Sequence, residues 1–185
     1  HPAHPLDLPD ASGTRTIPVQ ASVFSLVQQE RIPRLLRELG AVLYHSSYYL
    51  MPYRPGRPAL LTVYDLIPLL FPQQSSRRAR LFFRLATWLA LRAVRCCVAI
   101  SEATRQDLMR HFGVAPERVI CVPLAADPAF APLPAAHIDR VRQAYALPEH
   151  YLFYLGSNKP HKNLVRLVEA WARLQPVSMP LVIAG

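Results

Sequence analysis

Apolar positions along the chain follow two rhythms, one recurring every three to four residues and one of short continuous runs, which predicts helices alternating with buried strands. In residues 24–39, Leu26, Ile32, Leu35, Leu36 and Leu39 recur at helical spacing, Gly40 supplies a stop, and Pro33 is a point where the helix can break. Residues 41–44 read as a strand ending at His45-Ser46-Ser47, and residues 59–63 as a second ending at Tyr64-Asp65. Residues 76–94 predict a long helix with Arg77, Arg80, Arg84, Trp88 and Arg92 on one face, opposite Phe82, Leu85 and Leu89. Residues 96–100 read as a buried strand entering a helix at Ser101-Glu102, a capping hydroxyl followed by an acid, and Gly113 closes that helix. A strand at 118–122, a short helix at 138–145, a strand at 151–155, a helix from Asn163 to about Leu174 and a final strand at 181–184 complete the pattern. Residues 1–20 carry no period and read as loop.

Strand and helix alternate throughout without an internal repeat, so the class is α/β with parallel, doubly wound sheets. Residues 123–134 are rich in proline and alanine and read as the start of an interdomain linker. The chain therefore divides into residues 1–122 as the later part of a first domain, 123–148 as linker and short helix, and 149–185 as the opening of a second domain. His1 is not an initiator residue, and the closing strand has nothing after it to cover it, so the expectation is an internal piece of a longer protein with both sheets incomplete.

Charge narrows the partners only partly. The net charge is +9, from 21 basic and 12 acidic residues, and every basic residue except Lys159 and Lys162 is arginine. Such a surface favours anions, among them nucleotide diphosphates and anionic lipid headgroups, although a generically basic composition gives the same count. Nucleic acid is set aside, because the arginines are dispersed and neither an aromatic RNA-binding signature nor a helix-turn-helix pattern occurs. The apolar stretch 81–100 is interrupted by Arg84, Arg92 and Arg95, which argues against a membrane-spanning helix. Cys96, Cys97 and Cys121 sit in apolar runs whose spacing suits neither zinc nor an unstrained disulfide between the adjacent pair, so they read as buried thiols in a reducing compartment.

Open parallel sheets bind ligands at the carboxyl ends of their strands, where loops and helix starts converge with unpaired N–H groups. The polar clusters of this chain fall at those ends: His45-Ser46-Ser47, Tyr64-Asp65, Ser101-Glu102, and the segment from Gly156 through Ser157, Asn158, Lys159, Pro160, His161 and Lys162 to Asn163. The last combines a glycine, two lysines, a histidine and a helix start, a set suited to a pyrophosphate; the alternative is a solvated basic turn. It matches neither the dinucleotide G-x-G-x-x-G pattern nor the P-loop. Tyr64 and Asp65 read either as cleft groups or as a structural turn, His45 as a cleft group or a satisfied core histidine, and Ser101 first as a helix cap.

Four segments in order resemble family 4 (group 1) glycosyltransferases. Tyr154 to Leu164 is similar to the run opening that family's second domain, Thr62-Val63-Tyr64-Asp65-Leu66-Ile67-Pro68 to its threonine-x-histidine-aspartate-leucine-isoleucine-proline run, and Ala99 to Arg105 to its serine-led helix start. Val119 to Phe130 resembles its strand and hinge entry, with Ala125-Ala126 in place of a glycine-containing hinge. The resemblance implies a GT-B fold of two Rossmann-like domains facing across a cleft. It implies a retaining, metal-independent transfer from a nucleotide-diphosphate sugar, with GDP-mannose the leading donor. It also implies a glycan or lipid-linked molecule as acceptor and no further cofactor.

On the same resemblance Lys162 neutralises the donor diphosphate, aided by Gly156, Ser157, Asn158 and His161, while Tyr64 and Asp65 join Lys162 as catalytic candidates and His45 and Ser101 line the acceptor side. His161 stands where the family carries arginine and Tyr64 where it carries histidine, so a fork and a ring base give way to a mostly neutral ring and a phenol. The family's glycine-rich N-terminal loop and its C-terminal pair of glutamates are absent from these residues, so the 185-residue chain alone is expected to be inactive. The expected location is the cytoplasm, with the arginine-rich helix peripheral on the inner face of the cytoplasmic membrane. The competing reading keeps the fold without the chemistry, as a nucleotide-binding or regulatory module.

Overall fold

Every strand pair among the described residues is parallel, and that pairing organises two separate sheets. The computed structural model describes residue 13 and residues 15–174 and 179–185. Residues 1–12 and 14, part of the expected loop at 1–20, and residues 175–178 lie outside them. The chain divides into a first unit of residues 1–65 with 84–122 and a second unit of residues 66–83 with 123–185.

The first unit holds α1 (Gln28–Glu38), β1 (Tyr44–Ser46), β2 (Ala59–Val63), most of α3, β3 (Cys96–Ala99), α4 (Glu102–Phe112) and β4 (Val119–Cys121), with the sheet in the order β1-β2-β3-β4. Helix α3 (Arg77–Ala93) crosses from the second unit into the first, after the single-turn α2 (Ile67–Leu70). Ala59, Leu61 and Val63 of β2 and Cys97 and Ala99 of β3 are buried, as central strands of a doubly covered sheet require. All three cysteines are free, and burial pushes the Cys97 thiol up to about 11, with Arg118 opposing and Cys96 adding to the shift.

Three sequence expectations are corrected here. The first strand covers Tyr44–Ser46 rather than 41–44: its register is set by pairing with Ala59–Leu61, and Val42 is left 84% exposed outside it. Helix α1 starts at Gln28 and runs through Pro33 without ending there, while Leu26 is 85% exposed; its buried residues are Gln28 and Pro33. On α3 the buried face is Phe83, Ala86, Thr87, Ala90 and Leu91, not Phe82, Leu85 and Leu89. Arg80 leaves the basic face to donate to the Ser75 and Pro72 carbonyls, and the Arg92 guanidinium lies 4.9 Å from the Trp88 ring centre.

The second unit contains α5 (Ala135–Ala144), β5 (Leu152–Leu155), α6 (Leu164–Arg173) and β6 (Leu181–Ala184), with β5 and β6 paired in register from Leu152–Leu181 to Leu155–Ala184. Phe153, Leu155 and Ile183 of its sheet and Val165 and Val168 of α6 are exposed.

The end of α3 is held by one side chain from a distant turn. The last carbonyls of a helix lack partners within it, and here Arg118 donates to Leu91 O at 2.8 Å, Val94 O at 2.7 Å and Arg95 O at 3.3 Å. A planar fork reaches several carbonyls at once where an ammonium cannot. Replacing Arg118 by Met keeps the stem but orphans these acceptors, so urea denaturation is expected to show a loss of about 2 kcal/mol, with Arg118→Lys restoring only part of it.

Candidate functional site

The carboxyl end of the first sheet gathers the polar residues of three successive strands. His45, on β1, is exposed and shares a 2.8 Å hydrogen bond between Nε2 and Thr62 Oγ1 on β2, so it is not a core histidine. Tyr64 and Asp65 follow β2 directly, and both are exposed. Ser101 caps α4 after β3: its Oγ accepts from Thr104 N at 3.1 Å and lies 3.0 Å from Thr104 Oγ1.

The Thr104 hydroxyl in turn donates to the Tyr64 carbonyl at 3.1 Å. With that proton committed, Thr104 Oγ1 accepts from Ser101, and a relay runs from the helix cap to the backbone that carries Tyr64. Ser101 therefore acts on the site through position, its proton and a lone pair both being used inside the protein. Thr104 and Thr62 were not among the candidates read from the sequence; a threonine three residues after a capping serine is the signal that could have pointed to the first.

The second unit presents a different set. The loop after β5 runs through Gly156, Ser157 and Asn158 into a single 3-10 turn, Pro160–Lys162, closed by Lys162 N to Lys159 O at 2.8 Å and Asn163 N to Pro160 O at 3.1 Å. Asn163 then takes the left-handed conformation (φ 57°) that an asparagine tolerates, and α6 starts one residue later than expected. The Tyr154 hydroxyl donates to Ser157 O at 3.3 Å from beneath the loop. His161 Nδ1 lies 2.7 Å from Gln74 Oε1, with the Phe71 ring centre 6.0 Å from its own.

Lys159 and Lys162 are exposed, and neither enters an ion pair among the described residues, whereas Arg34, Arg105 and Arg142 each do. Two ammonium groups in no ion pair among the described residues, on a hydrogen-bonded turn next to a helix start with no side-chain cap, make this turn the candidate anion site. Backbone can come close here, since a Cβ on Gly185 would sit 2.3 Å from Gly156 O, so the carboxyl ends of β5 and β6 meet glycine against glycine. Gln74 and Tyr154, which hold this loop, were not read from the sequence.

Comparison with known proteins bears on the family and the fold. The model of Glycosyltransferase Family 4 matches residues 7–130. The O-antigen chain mannosyltransferase B of Escherichia coli is 24% identical over 176 residues, 92% of this chain and 46% of the relative. The serotype-specific mannosyltransferase WbdA of Escherichia coli is 28% identical over 153 residues, 76% of this chain and 18% of the relative. Among solved structures, HepE of Anabaena in complex with UDP-glucose matches with a TM-score of 0.65 at 18% identity, over 84% of this chain and 42% of its own. A glycosyltransferase from Rickettsia africae matches with a TM-score of 0.60 at 15% identity, over 91% of this chain and 46% of its own. The chain spans under half the length of each of these proteins, and its fold is that of the GT-B glycosyltransferases.

The relay through Thr104 is open to test. Thr104→Val keeps the shape but leaves the Tyr64 carbonyl without this part-buried donor, and urea denaturation is expected to show a loss of about 1 kcal/mol, with Thr104→Ser retaining more than half. A Thr104→Val protein as stable as the parent would show that the relay carries no weight.

Proposed function

The chain belongs to Glycosyltransferase Family 4, and from that premise we propose that its protein is a retaining, metal-independent hexosyltransferase moving mannose from GDP-mannose to a glycan or lipid-linked acceptor. The mannosyltransferase relatives in Escherichia coli support the choice of sugar, and the complex of HepE with UDP-glucose supports a nucleotide sugar as donor class. The observation that carries the reading is the pair of uncommitted lysines, Lys159 and Lys162, on a hydrogen-bonded turn between a parallel strand and a helix start.

The chemistry follows from where charge grows. The bond from the anomeric carbon to the diphosphate oxygen breaks with its electron pair going to the diphosphate, so negative charge builds on the leaving group. A bond forms from the acceptor hydroxyl oxygen to the same carbon, and the hydroxyl proton passes to the diphosphate. Lys162 stabilises that growing charge, with Ser157 and Asn158 offering backbone N–H groups and Gly156, whose own N–H is held by the Ala184 carbonyl, allowing close approach. His161 anchors the turn through Gln74, and Tyr64, a poor base near neutrality, donates a hydrogen bond to sugar oxygen while Asp65 orients the backbone beside it.

Attachment to the cytoplasmic face of an anionic membrane is part of the same proposal, supported by α3. Leu81, Leu85 and Trp88 form an exposed stripe opposite its buried face, Arg77, Arg84 and Arg92 flank or continue the stripe, and α3 contains no acidic residue. An apolar face with a basic border suits a lipid surface of negative charge. No helix among the described residues is long and apolar enough to cross a membrane.

In the full-length protein, Lys162→Ala is expected to raise the GDP-mannose dissociation constant at least about tenfold, as loss of one charge-assisted contact to phosphate does; unchanged affinity would overturn the diphosphate assignment. For the membrane, Arg77→Glu with Arg84→Glu is expected to abolish co-sedimentation with phosphatidylglycerol-rich vesicles, each basic residue near such a surface contributing roughly 1 kcal/mol. Retained sedimentation would remove α3 as the attachment.

A further inference from the structure

We propose that Tyr48 and Tyr49 form a stacking platform for a saccharide ring of the acceptor. This rests on the glycosyltransferase reading and names a subsite that reading leaves open. The two residues lie just beyond the carboxyl end of β1, on the edge of the first sheet that also carries His45, Thr62 and Tyr64. Their ring centres are 4.5 Å apart at 44°, the Tyr48 hydroxyl lies 3.4 Å from that of Tyr49, and Tyr48 is 41% exposed.

An exposed aromatic pair on a mobile loop would mean little, but this loop is pinned at both sides of the pair. The buried Ser46 hydroxyl donates to Tyr48 O at 2.7 Å and accepts from Tyr48 N at 3.3 Å. Leu50 and Met51 are buried, and the Gln29 amide of α1 donates to Met51 O at 2.9 Å and accepts from Tyr53 N at 2.9 Å. The protein thus spends a buried serine and a glutamine on holding two tyrosine rings at a surface, where the hydrophobic effect alone would draw them inward.

A pyranose ring matches this surface in both of its aspects. Its axial C–H groups present an apolar face that a tilted aromatic pair can cover, and its equatorial hydroxyls form a polar rim that phenolic O–H groups can meet. The platform is uncharged at neutral pH. Burial, and after it the Tyr48 hydroxyl and the neighbouring Tyr48 and Tyr53, hold the Tyr49 phenol protonated well above the usual phenol range. A neutral surface favours a neutral sugar over a phosphate, in contrast to the cationic turn at Lys162.

The test uses the full-length protein with GDP-mannose as donor and α-linked mannotriose as acceptor probe. Tyr48→Leu, which fills space without a π face, is expected to raise the mannotriose KM about tenfold while kcat and the GDP-mannose dissociation constant stay within about twofold. Tyr48→Phe is expected to shift that KM no more than about threefold, since the face remains. Mannotriose binding in the presence of GDP, followed by saturation-transfer NMR from the tyrosine protons, is expected to weaken in Tyr48→Leu alone. An unchanged KM and unchanged binding in Tyr48→Leu would overturn the platform, as would a raised GDP-mannose dissociation constant with the acceptor terms unmoved, which would mark a nucleobase site instead. A protein that binds mannotriose through Tyr48 but never turns over GDP-mannose would leave the platform standing and sink the transferase reading, so the two failures are separable.

Discussion

Parallel strand pairing is the constraint on which the rest of this structure depends. Two parallel strands cannot be joined by a tight turn, so each connection must travel back along the sheet, usually through a helix, before the next strand begins. As a result β1, β2, β3 and β4 all end at one edge, and β5 and β6 end together at theirs. Loops and helix starts then collect at a single edge of each sheet with backbone donors to spare. The polar clusters sit there because covered strands have no place for them elsewhere, and chemistry draws on what the topology has assembled.

Electrostatics separates structure from site within this very basic chain. Among the described residues, arginines carry out structural tasks: Arg118 holds the end of α3, Arg80 holds the turn before it, and Arg105 reaches both Glu102 and the Val119 carbonyl. A guanidinium suits such work because its planar fork meets several acceptors at fixed angles. The two lysines are spent on nothing comparable among the described residues, and both fall within one turn. An overall charge of +9 could not reveal this division, which becomes visible only when each cation is traced to its acceptor.

The strand–helix alternation, the cap at Ser101 and the stops at Gly40 and Gly113 were legible in the sequence because each depends on neighbours a few residues away. What stayed hidden depends on distance. The register of β1 is decided by Ala59–Leu61, and an apolar run such as Val42-Leu43 looks like a strand until its partner strand is in place. The buried face of α3 was misassigned because several stripes on an apolar helix have similar spacing, and only the packing around Ala86 and Ala90 chooses among them. Gln74 and Thr104 reach their partners across 87 and 40 residues, so no local motif announces them. The positions carrying charge were readable, while the residues that hold those positions still were not.

His161, beside Lys162, shows how such a support shapes a candidate site. A guanidinium at His161 would bring permanent charge to the diphosphate and could act as ligand and anchor at once. With Gln74 Oε1 2.7 Å from His161 Nδ1, the amide oxygen can only accept, so this ring nitrogen donates to Gln74 and is committed inside the protein. Histidine in this setting secures the turn through Gln74 and Phe71, and under the proposed function the neutralising of a diphosphate would fall to Lys162 and Lys159. An anchored ring beside two ammonium groups in no ion pair among the described residues would make the hold on such an anion depend chiefly on lysine.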